Sequence, residues 1–529
     1  MAAAVASPSP VRAPAKGADK WVIAISVSIG ALLEIIDTSI VNVAMPDLQA
    51  SLGATLSQVS WVVSSYGIAN VIILPLAAWL GHRFGKKRYF IFSLVGFTLA
   101  SIMCGLSTSL WMLVVARILQ GLTGGGLLAK AQAILFETFP REEQATAQGF
   151  FGAIVIAGPA IGPTLGGWLV TNFQWRWIFF VNVPVGILAV FLTAANLPAD
   201  DPDARAKGSV DWWAILLLAV GVGSFQALLE EGNSDDWFES RLITTLAVLA
   251  VVGTVAFVHR ELTTKSPVVD LRILRHRSLW AGCILGFVVG ASLYGTLFAV
   301  PIFAQMILRY TSQETGMLLL PGALASAVGM ILASRMIQKF DARAVLSGGA
   351  LTLVGALAML TAAINVQAGG DDLYWPMIIR SFGTVFTFLP LQLSALGPLP
   401  KEDIAGATGI FALTRQLGGS VGVALLSLLL DTRMAFHRAV LVEKLSATDP
   451  AVAERVTMLT QAMLAKGATL ADAKARALTL LDGTVNQQAL VLSFADTFWA
   501  TGAMILVSLP LVFLLGKPPG RGATVGGGH

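Results

Sequence analysis

The sequence has little charge for its length. Of its 529 residues only 12% are Asp, Glu, Lys or Arg, whereas 55% are hydrophobic. A soluble protein has about a quarter charged residues, because charged side chains cover its water-facing surface. The shortage of charge therefore predicts that much of the surface faces lipid.

Cysteine and the motifs of common catalytic centres are also scarce. Only Cys104 and Cys283 are present, both inside apolar runs, so no disulfide framework is expected. We find no phosphate-binding loop, metal-ligand cluster, nucleophile constellation or ATP-binding domain. The sequence thus predicts no enzyme, catalytic residue, metal, cofactor or nucleic-acid partner, and energy would come from an ion gradient or a partner.

Long apolar runs are abundant, and each can cross a hydrocarbon layer about 30 Å thick. The runs are unbroken rather than alternating, which favours helices over a β-barrel. They predict an all-α polytopic membrane protein with fourteen transmembrane helices at about 21–43, 58–80, 89–107, 110–136, 145–170, 177–195, 211–230, 242–258, 279–305, 313–337, 344–365, 373–397, 404–430 and 493–516.

Lysine and arginine in the loops predict the orientation, because they are retained on the cytoplasmic side. Basic residues concentrate in loops 82–88 and 259–277, whereas the short loops on the other side carry few, namely Arg176, Arg241 and Arg309. This asymmetry places both termini in the cytoplasm, with 1–20 a disordered tail and 517–529 a second tail.

One predicted outer loop, 431–492, is far longer than the others and has apolar residues at helical spacing, such as Val452, Val456 and Leu459. We interpret it as one or two amphipathic helices. A self-packed hairpin and an element that docks a partner fit this pattern equally well.

An internal repeat divides the chain into halves. Residues 140–151 and 400–411 align without a gap, and each follows a span with a lone arginine, Arg117 or Arg380. The repeats have the same predicted orientation, as in transporters built from two parallel halves. We predict a six-helix half at 21–195, two additional helices at 211–258 and a second six-helix half at 279–516, with the substrate path between the halves.

Several ionisable residues fall inside predicted spans, where charge is costly and usually functional. Glu34 and Asp37 are three residues apart and so share a helical face. Either they carry protons, or one of them simply pairs with Arg117 to hold two spans together. The other buried charges include Lys130 and, in the second half, Arg380 and Arg415.

Span five carries small residues at four-residue spacing, which let helices approach closely, together with prolines that bend the helix. This pattern predicts a helix that kinks or slides during a conformational cycle. Its central residues are Gly158, Pro159, Gly162, Pro163, Gly166 and Gly167.

These motifs resemble the major facilitator superfamily, specifically its fourteen-span drug/proton antiporter branch of EmrB/QacA type. Gly152 to Gly167 is similar to the branch's antiporter motif, and Asp37 to Pro46 to its span-one motif. Leu113 to Gly126 resembles its span-four motif, and Trp175 to Pro184 another hallmark. The resemblance implies proton coupling by Asp37 and Arg117, and Glu34 remains a further candidate because it shares a helical face with Asp37.

The loop after span two is similar to the superfamily's cytoplasmic gate motif but departs from it. Here His82 stands where the family has aspartate, while Arg83 and Gly85 persist, and Lys86 completes the candidate gate. The long outer loop resembles the EmrB subgroup. That likeness implies a Gram-negative inner membrane, with a periplasmic adaptor protein and an outer-membrane channel as partners.

The expected function is proton-coupled export of amphipathic drugs or toxic compounds through a cavity between the halves. Export of one dedicated metabolite, such as a siderophore or sugar, is the closest alternative, and a non-transporting membrane sensor or scaffold is the rival from another class. The sequence leaves H⁺ and Na⁺ both open as the coupling ion. Six aromatic residues are candidates for the cavity wall: Tyr66, Phe150, Tyr294, Phe298, Phe386 and Phe411.

Overall fold

A computed structural model describes residues 17–200, 210–235, 237–445 and 449–516. The described residues contain no β-strand, and fourteen of their helical segments are long and apolar enough to cross a membrane. The number and order of spans predicted from sequence are therefore confirmed. The predicted tails fall mostly outside the described residues.

The first half contains nine helices that make six spans. Spans four and six are each built from two consecutive helices, and a short helix follows span one. In chain order the helices are α1 (Gly17–Val43), α2 (Met45–Leu52), α3 (Leu56–Phe84), α4 (Lys86–Gly105), α5 (Leu110–Gly124), α6 (Leu127–Thr138), α7 (Gln144–Asn172), α8 (Trp177–Phe180) and α9 (Asn182–Asn196).

Two further helices, α10 (Trp212–Glu231) and α11 (Arg241–Thr263), join the halves. Helix α10 touches both of them: the Gln226 amide donates to Ser420 in the second half at 2.7 Å, and Ser64 in the first half donates to Glu231 at 2.6 Å. Asp211 caps α10 and pairs with Arg260 of α11 at 2.8 Å, and this hydrogen bond lowers the pKa of Asp211.

The second half has six spans and one further helix, α17, that does not belong to a span. Its helices are α12 (Arg277–Met306), α13 (Ser312–Lys339), α14 (Ala342–Ala363), α15 (Gly370–Leu396), α16 (Lys401–Glu443), α17 (Pro450–Ala465) and α18 (Leu470–Ser508), and a 3-10 helix over Leu509–Leu514 completes the last span. Short 3-10 helices also occur at Trp237–Glu239 and Leu271–Arg275.

The segment 431–492, predicted to form one or two helices, is largely helical. Among the described residues it holds one separate helix, α17, and its two ends belong to longer helices, since α16 continues unbroken to Glu443 and α18 begins at Leu470. Arg433 and His437 of α16 bind Asp496 of α18, and Arg438 binds Asp482 at 2.8 Å. These contacts hold the two extensions side by side.

Span four is interrupted, which its continuous apolar pattern did not predict. Helix α5 ends at Gly124 and α6 starts at Leu127, with Gly126 between them at φ 70°. This is the left-handed region that favours glycine. The break leaves backbone N–H groups at the start of α6 without partners inside the helix, so they need an acceptor from elsewhere.

Candidate functional site

Asp37 is the centre of a fully buried polar network in the first half. Its carboxylate accepts from Arg117 Nη1 at 2.5 Å, from Gln120 Nε2 at 2.9 Å and from Asn182 Nδ2 at 2.8 Å. Neither Asp37 nor Arg117 has exposed side-chain surface. The network joins α1, α5 and α9, so the charge on one carboxylate holds three helices together.

Arg117 has further partners on the neighbouring span. Its Nε donates to the Val62 carbonyl at 2.9 Å, and its guanidinium lies 4.2 Å from the centre of the Tyr66 ring. Tyr66, a candidate for the cavity wall, is therefore buried against this cation, where cation–π attraction stabilises the charge.

Glu34 has different partners from Asp37, although both project from α1. Its Oε1 accepts from the Asn70 amide at 2.6 Å, and its Oε2 accepts from the Leu128 backbone N–H at 2.7 Å. Leu128 belongs to the first turn of α6, so Glu34 supplies the acceptor that the break in span four requires. A carboxylate at a helix N-terminus also interacts favourably with the helix dipole.

Lys130, two residues further along α6, lies beside a small cavity of about 460 Å³ whose wall includes His82, Lys86 and Glu137. The Lys130 ammonium donates to Ser93 at 2.6 Å and lies 4.2 Å from the centre of the Tyr89 ring. Nearby, Lys86 pairs with Glu137 at 2.6 Å.

The gate loop is a tight connection between α3 and α4. Gly85 has φ 95° and is the only residue between the two helices. The Asp200 carboxylate, which follows span six, accepts from the backbone N–H groups of Lys87 at 2.9 Å and Arg88 at 3.1 Å. The start of α4 is thus capped by an acid from the end of the first half.

Three glycines of the antiporter motif form the contact between α7 and α1. A Cβ atom on Gly158 would lie 2.5 Å from Ile35, one on Gly162 1.9 Å from Ser39 and one on Gly166 2.7 Å from Ile40. Only a hydrogen atom fits at these three glycine positions. The residues of α1 that the glycines contact flank Asp37 in the sequence.

The opposite side of α7 contacts the second half. A Cβ on Gly149 would lie 2.8 Å from Ser334 of α13, and one on Gly152 2.4 Å from Met330. Pro159 and Pro163 lie inside α7, and Pro159 also faces the central cavity. Gly167 makes no close approach, since its nearest neighbour would be 3.9 Å away. The repeat-related helix α16 has glycines but no internal proline.

The central cavity has a volume of about 950 Å³ and lies between the halves. Helices α1, α6 and α7 contribute to its wall from one half and α12, α13, α15 and α16 from the other. Two cations, Arg380 and Arg415, line it, together with Tyr294, Phe388 and several aliphatic side chains.

Of the six aromatic candidates for the wall, only Tyr294 is among the described residues that line this cavity. Phe150 packs against Trp21, with ring centres 5.6 Å apart, and Phe386 packs against Phe382. Phe411 is buried in the core, and Phe298 does not reach the cavity. The presence of an aromatic residue in the sequence does not indicate whether its side chain faces the cavity or the core, because apolar packing and ligand contact use the same side chains.

The network also contains residues that sequence reasoning missed. Gln120 lies one turn after Arg117 on α5, so the helical repeat could have placed it beside the same acid. Asn182 belongs to the hallmark segment that ends at Pro184 and could have been singled out as a polar residue inside a span. Asn70 carries the same signal inside span two, whereas Asp200, which follows span six, carries none.

The fold and the number of spans define a polytopic membrane protein. A buried charge network and a cavity between two halves are features of a transporter. The profile of the Major Facilitator Superfamily matches residues 27–423, and the chain belongs to this superfamily.

Its relatives cover nearly the whole chain. It is 31% identical to the multidrug export protein EmrB of Escherichia coli over 98% of this chain and 99% of the relative. It is 32% identical to the fatty acid resistance protein FarB of Neisseria gonorrhoeae over the same shares. The resemblance to EmrB-type proteins is confirmed.

Solved structures agree with the fold. The proton:xylose symporter XylE matches with a TM-score of 0.59 at 14% identity, over 94% of this chain and 95% of that one. The human organic anion transporter MFSD10 matches with a TM-score of 0.58 at 13% identity, over 93% and 99%. At these identities the likeness concerns the fold alone.

Proposed function

We propose that this protein is a proton-coupled secondary transporter that exports amphipathic compounds by alternating access. The observation that carries the proposal is the buried Asp37–Arg117 pair, since a carboxylate with three donors can gain or lose a proton only with a change in its contacts. Relatives named as multidrug export proteins support export as the direction of transport.

Protonation of Asp37 would change the packing of α1. A protonated carboxyl group loses its negative charge, so its attraction to Arg117 falls, and its new O–H needs an acceptor among groups that now donate to it. Helix α1 would then be free to shift against α5 and α9. The glycine contacts to α7 transmit such a shift, because α7 packs against α13 of the second half.

The test is efflux of several unrelated dyes from cells that express the chain, with and without a protonophore. Asp37→Asn should abolish protonophore-sensitive efflux at normal expression, because asparagine keeps the shape but does not ionise. Asp47→Asn, at an exposed site on α2, is the matched control and should retain activity. Full pH-driven efflux by Asp37→Asn would refute the assignment, and efflux driven by a sodium gradient would identify Na⁺ as the coupling ion.

Two alternatives have their own outcomes. An exporter of one dedicated metabolite would show no competition among chemically unrelated compounds. A sensor or scaffold would keep its function after Asp37 and Arg117 are both neutralised, since it would need no proton cycle.

We further propose a bacterial inner-membrane location with both termini in the cytoplasm, as the basic loops indicate. The outer extensions of α16 and α18 with α17 would then lie in the periplasm, where an adaptor protein linked to an outer-membrane channel could bind them. Cross-linking from Lys466, in the turn after α17, would identify such a partner.

A further inference from the structure

The central cavity carries two positive charges and no negative charge among the described residues of its wall. Arg380 on α15 is 6% exposed, and none of the ion pairs of the described chain involves it or Arg415 on α16. The Nε atoms of both arginines are buried without a hydrogen-bond partner. The wall of the cavity is thus mostly apolar, and the two arginines form one electropositive patch in it.

The internal repeat makes this arrangement informative. Arg117 and Arg380 lie on corresponding spans of the two halves, yet Arg117 has a carboxylate at 2.5 Å and an amide oxygen at 2.8 Å. Span one of the first half supplies that carboxylate. The corresponding helix of the second half, α12, contains no Asp or Glu. The second half thus has an arginine on this span and no acid on its first span.

A buried cation without a counterion is unfavourable, because desolvation is not repaid by a partner. Arg415 receives limited compensation from the Phe388 ring, 5.1 Å from its guanidinium. No comparable contact reaches Arg380 from the described residues. An anion that enters the cavity would supply the missing negative charge. A guanidinium suits a planar carboxylate because two of its N–H groups can donate in parallel to the two carboxylate oxygens.

We propose that Arg380 and Arg415 bind the head group of an amphipathic monoanion, a carboxylate or sulfonate, whose apolar body occupies the rest of the cavity. Ile35, Leu128, Leu293, Leu297 and Leu319 line the apolar part. Ser381 lies in the same wall as the arginines, and its hydroxyl group can donate to the head group. This inference rests on the proposed function, since it names the substrate class of the same cavity.

The experiment compares three probes that share one apolar body: 1-pyrenebutyrate, 1-pyrenebutanol and 1-pyrenebutylamine. Binding to the purified full-length protein is followed by quenching of tryptophan fluorescence, and transport is followed in energised everted vesicles. The variants are Arg380→Gln, Arg415→Gln and their Lys counterparts. Arg335→Gln is the control, because Arg335 is an exposed arginine on α13 that is absent from the cavity wall.

We expect the wild type to prefer the carboxylate over the amine. Each Gln variant should weaken pyrenebutyrate binding and raise its KM by about 10- to 100-fold, the usual effect of losing a hydrogen bond to a charged group. Pyrenebutanol should bind these variants as it binds the wild type, which shows that they are folded. The Lys variants should restore part of the carboxylate binding.

The inference is overturned if the wild type does not bind pyrenebutyrate, or if the Gln variants bind all three probes as the wild type does. Protonophore-sensitive transport of the amine with no preference for the carboxylate would overturn it while leaving the proposed function intact. The wild type could instead show no protonophore-sensitive transport of any probe while its pyrenebutyrate binding still depends on both arginines. That result would refute proton-coupled export and keep the binding site.

Discussion

At the scale of single residues, the Asp37–Arg117 pair places two opposite charges in a fully buried environment. Removing one partner of such a pair leaves the other charge uncompensated, which typically costs about 3–5 kcal/mol. We therefore expect Arg117→Gln to lower the unfolding temperature of the purified protein clearly. Asp37→Asn should cost less, because Arg117 keeps the Val62 carbonyl, Gln120 and the Tyr66 ring.

The double variant Asp37→Asn/Arg117→Gln separates charge from packing. Because no lone charge remains, it should be more stable than Arg117→Gln alone, and it should still not transport protons. Thermal unfolding in detergent measures the first effect and proton release during substrate addition the second. If the double variant were as unstable as the sum of the single changes, packing rather than charge pairing would hold α1 and α5 together.

Glu34 allows a similar separation of roles. Glu34→Gln keeps an oxygen that can accept from the Leu128 N–H, and its NH2 group can donate to the Asn70 oxygen once the Asn70 amide turns over. Glu34→Ala leaves the Leu128 N–H and the Asn70 amide unsatisfied at a cost of about 1–3 kcal/mol each. We expect the alanine variant to be clearly destabilised and the glutamine variant to remain near the wild type. A glutamine variant as unstable as the alanine variant would mean that the negative charge itself supports α6.

The pH profile of transport then tests whether Glu34 also carries protons. A profile unchanged in Glu34→Gln would assign the carboxylate a structural role only.

Sequence reasoning identified Asp37 and Arg117 and raised their pairing as one of two interpretations. It could not find the separate role of Glu34, because that role depends on a helix break that hydropathy does not reveal. A run of apolar residues looks the same whether its helix is continuous or interrupted. The three consecutive glycines from Gly124 to Gly126 were the available signal.

At the scale of helices, the break in span four depends on the left-handed backbone of Gly126. A Cβ there would have room, since its nearest neighbours would be 3.6 Å away, so the conformation and not the space restricts this position. Gly126→Ala should cost about 1–2 kcal/mol, because residues other than glycine are strained in this region. Gly126→Asn should cost less, because asparagine tolerates it.

Gly348→Ala is the control for this prediction, since Gly348 lies inside α14 and a Cβ there would meet nothing within 4 Å. It should be neutral or slightly stabilising, because alanine favours helices. Thermal unfolding of the three variants measures the differences. Equal stability of Gly126→Ala and wild type would show that span four can adopt a continuous helix.

All fourteen spans were predictable because a bilayer demands long apolar helices and the chain supplies them. The helix ends at 443 and 470 were not predictable in the same way. Hydropathy marks where lipid contact ends, whereas a helix continues for as long as its backbone and side-chain partners allow. The bonds from Arg433, His437 and Arg438 to α18 are such partners.

At the scale of the whole molecule, polar contacts connect the halves at the end of the bundle that carries the basic loop 82–88. The Gln392 amide donates to Gln148 at 2.9 Å, and the Gln338 amide donates to Thr146 at 2.9 Å. Alternating access requires these contacts to open. A short reducible cross-link between Thr146→Cys and Gln338→Cys should therefore stop transport, and a reducing agent should restore it.

The matched control cross-links Arg438→Cys to Asp482→Cys, two neighbours within the second half whose wild-type side chains are 2.8 Å apart. Both native cysteines are buried, so they should react little with the reagent. The control should retain transport relative to the same variant before treatment. Transport by the cross-linked Thr146/Gln338 pair would mean that the halves do not separate there.

Helix α16 has one more consequence for the molecule as a whole. Its 43 residues correspond to about 65 Å of helix, roughly twice the thickness of the hydrocarbon layer. The helix runs without interruption from the wall of the central cavity to Glu443. A small tilt of the part beside the cavity therefore produces a larger displacement at the Glu443 end. A fluorophore attached at Lys444 would thus report the conformational state of the cavity from outside the membrane.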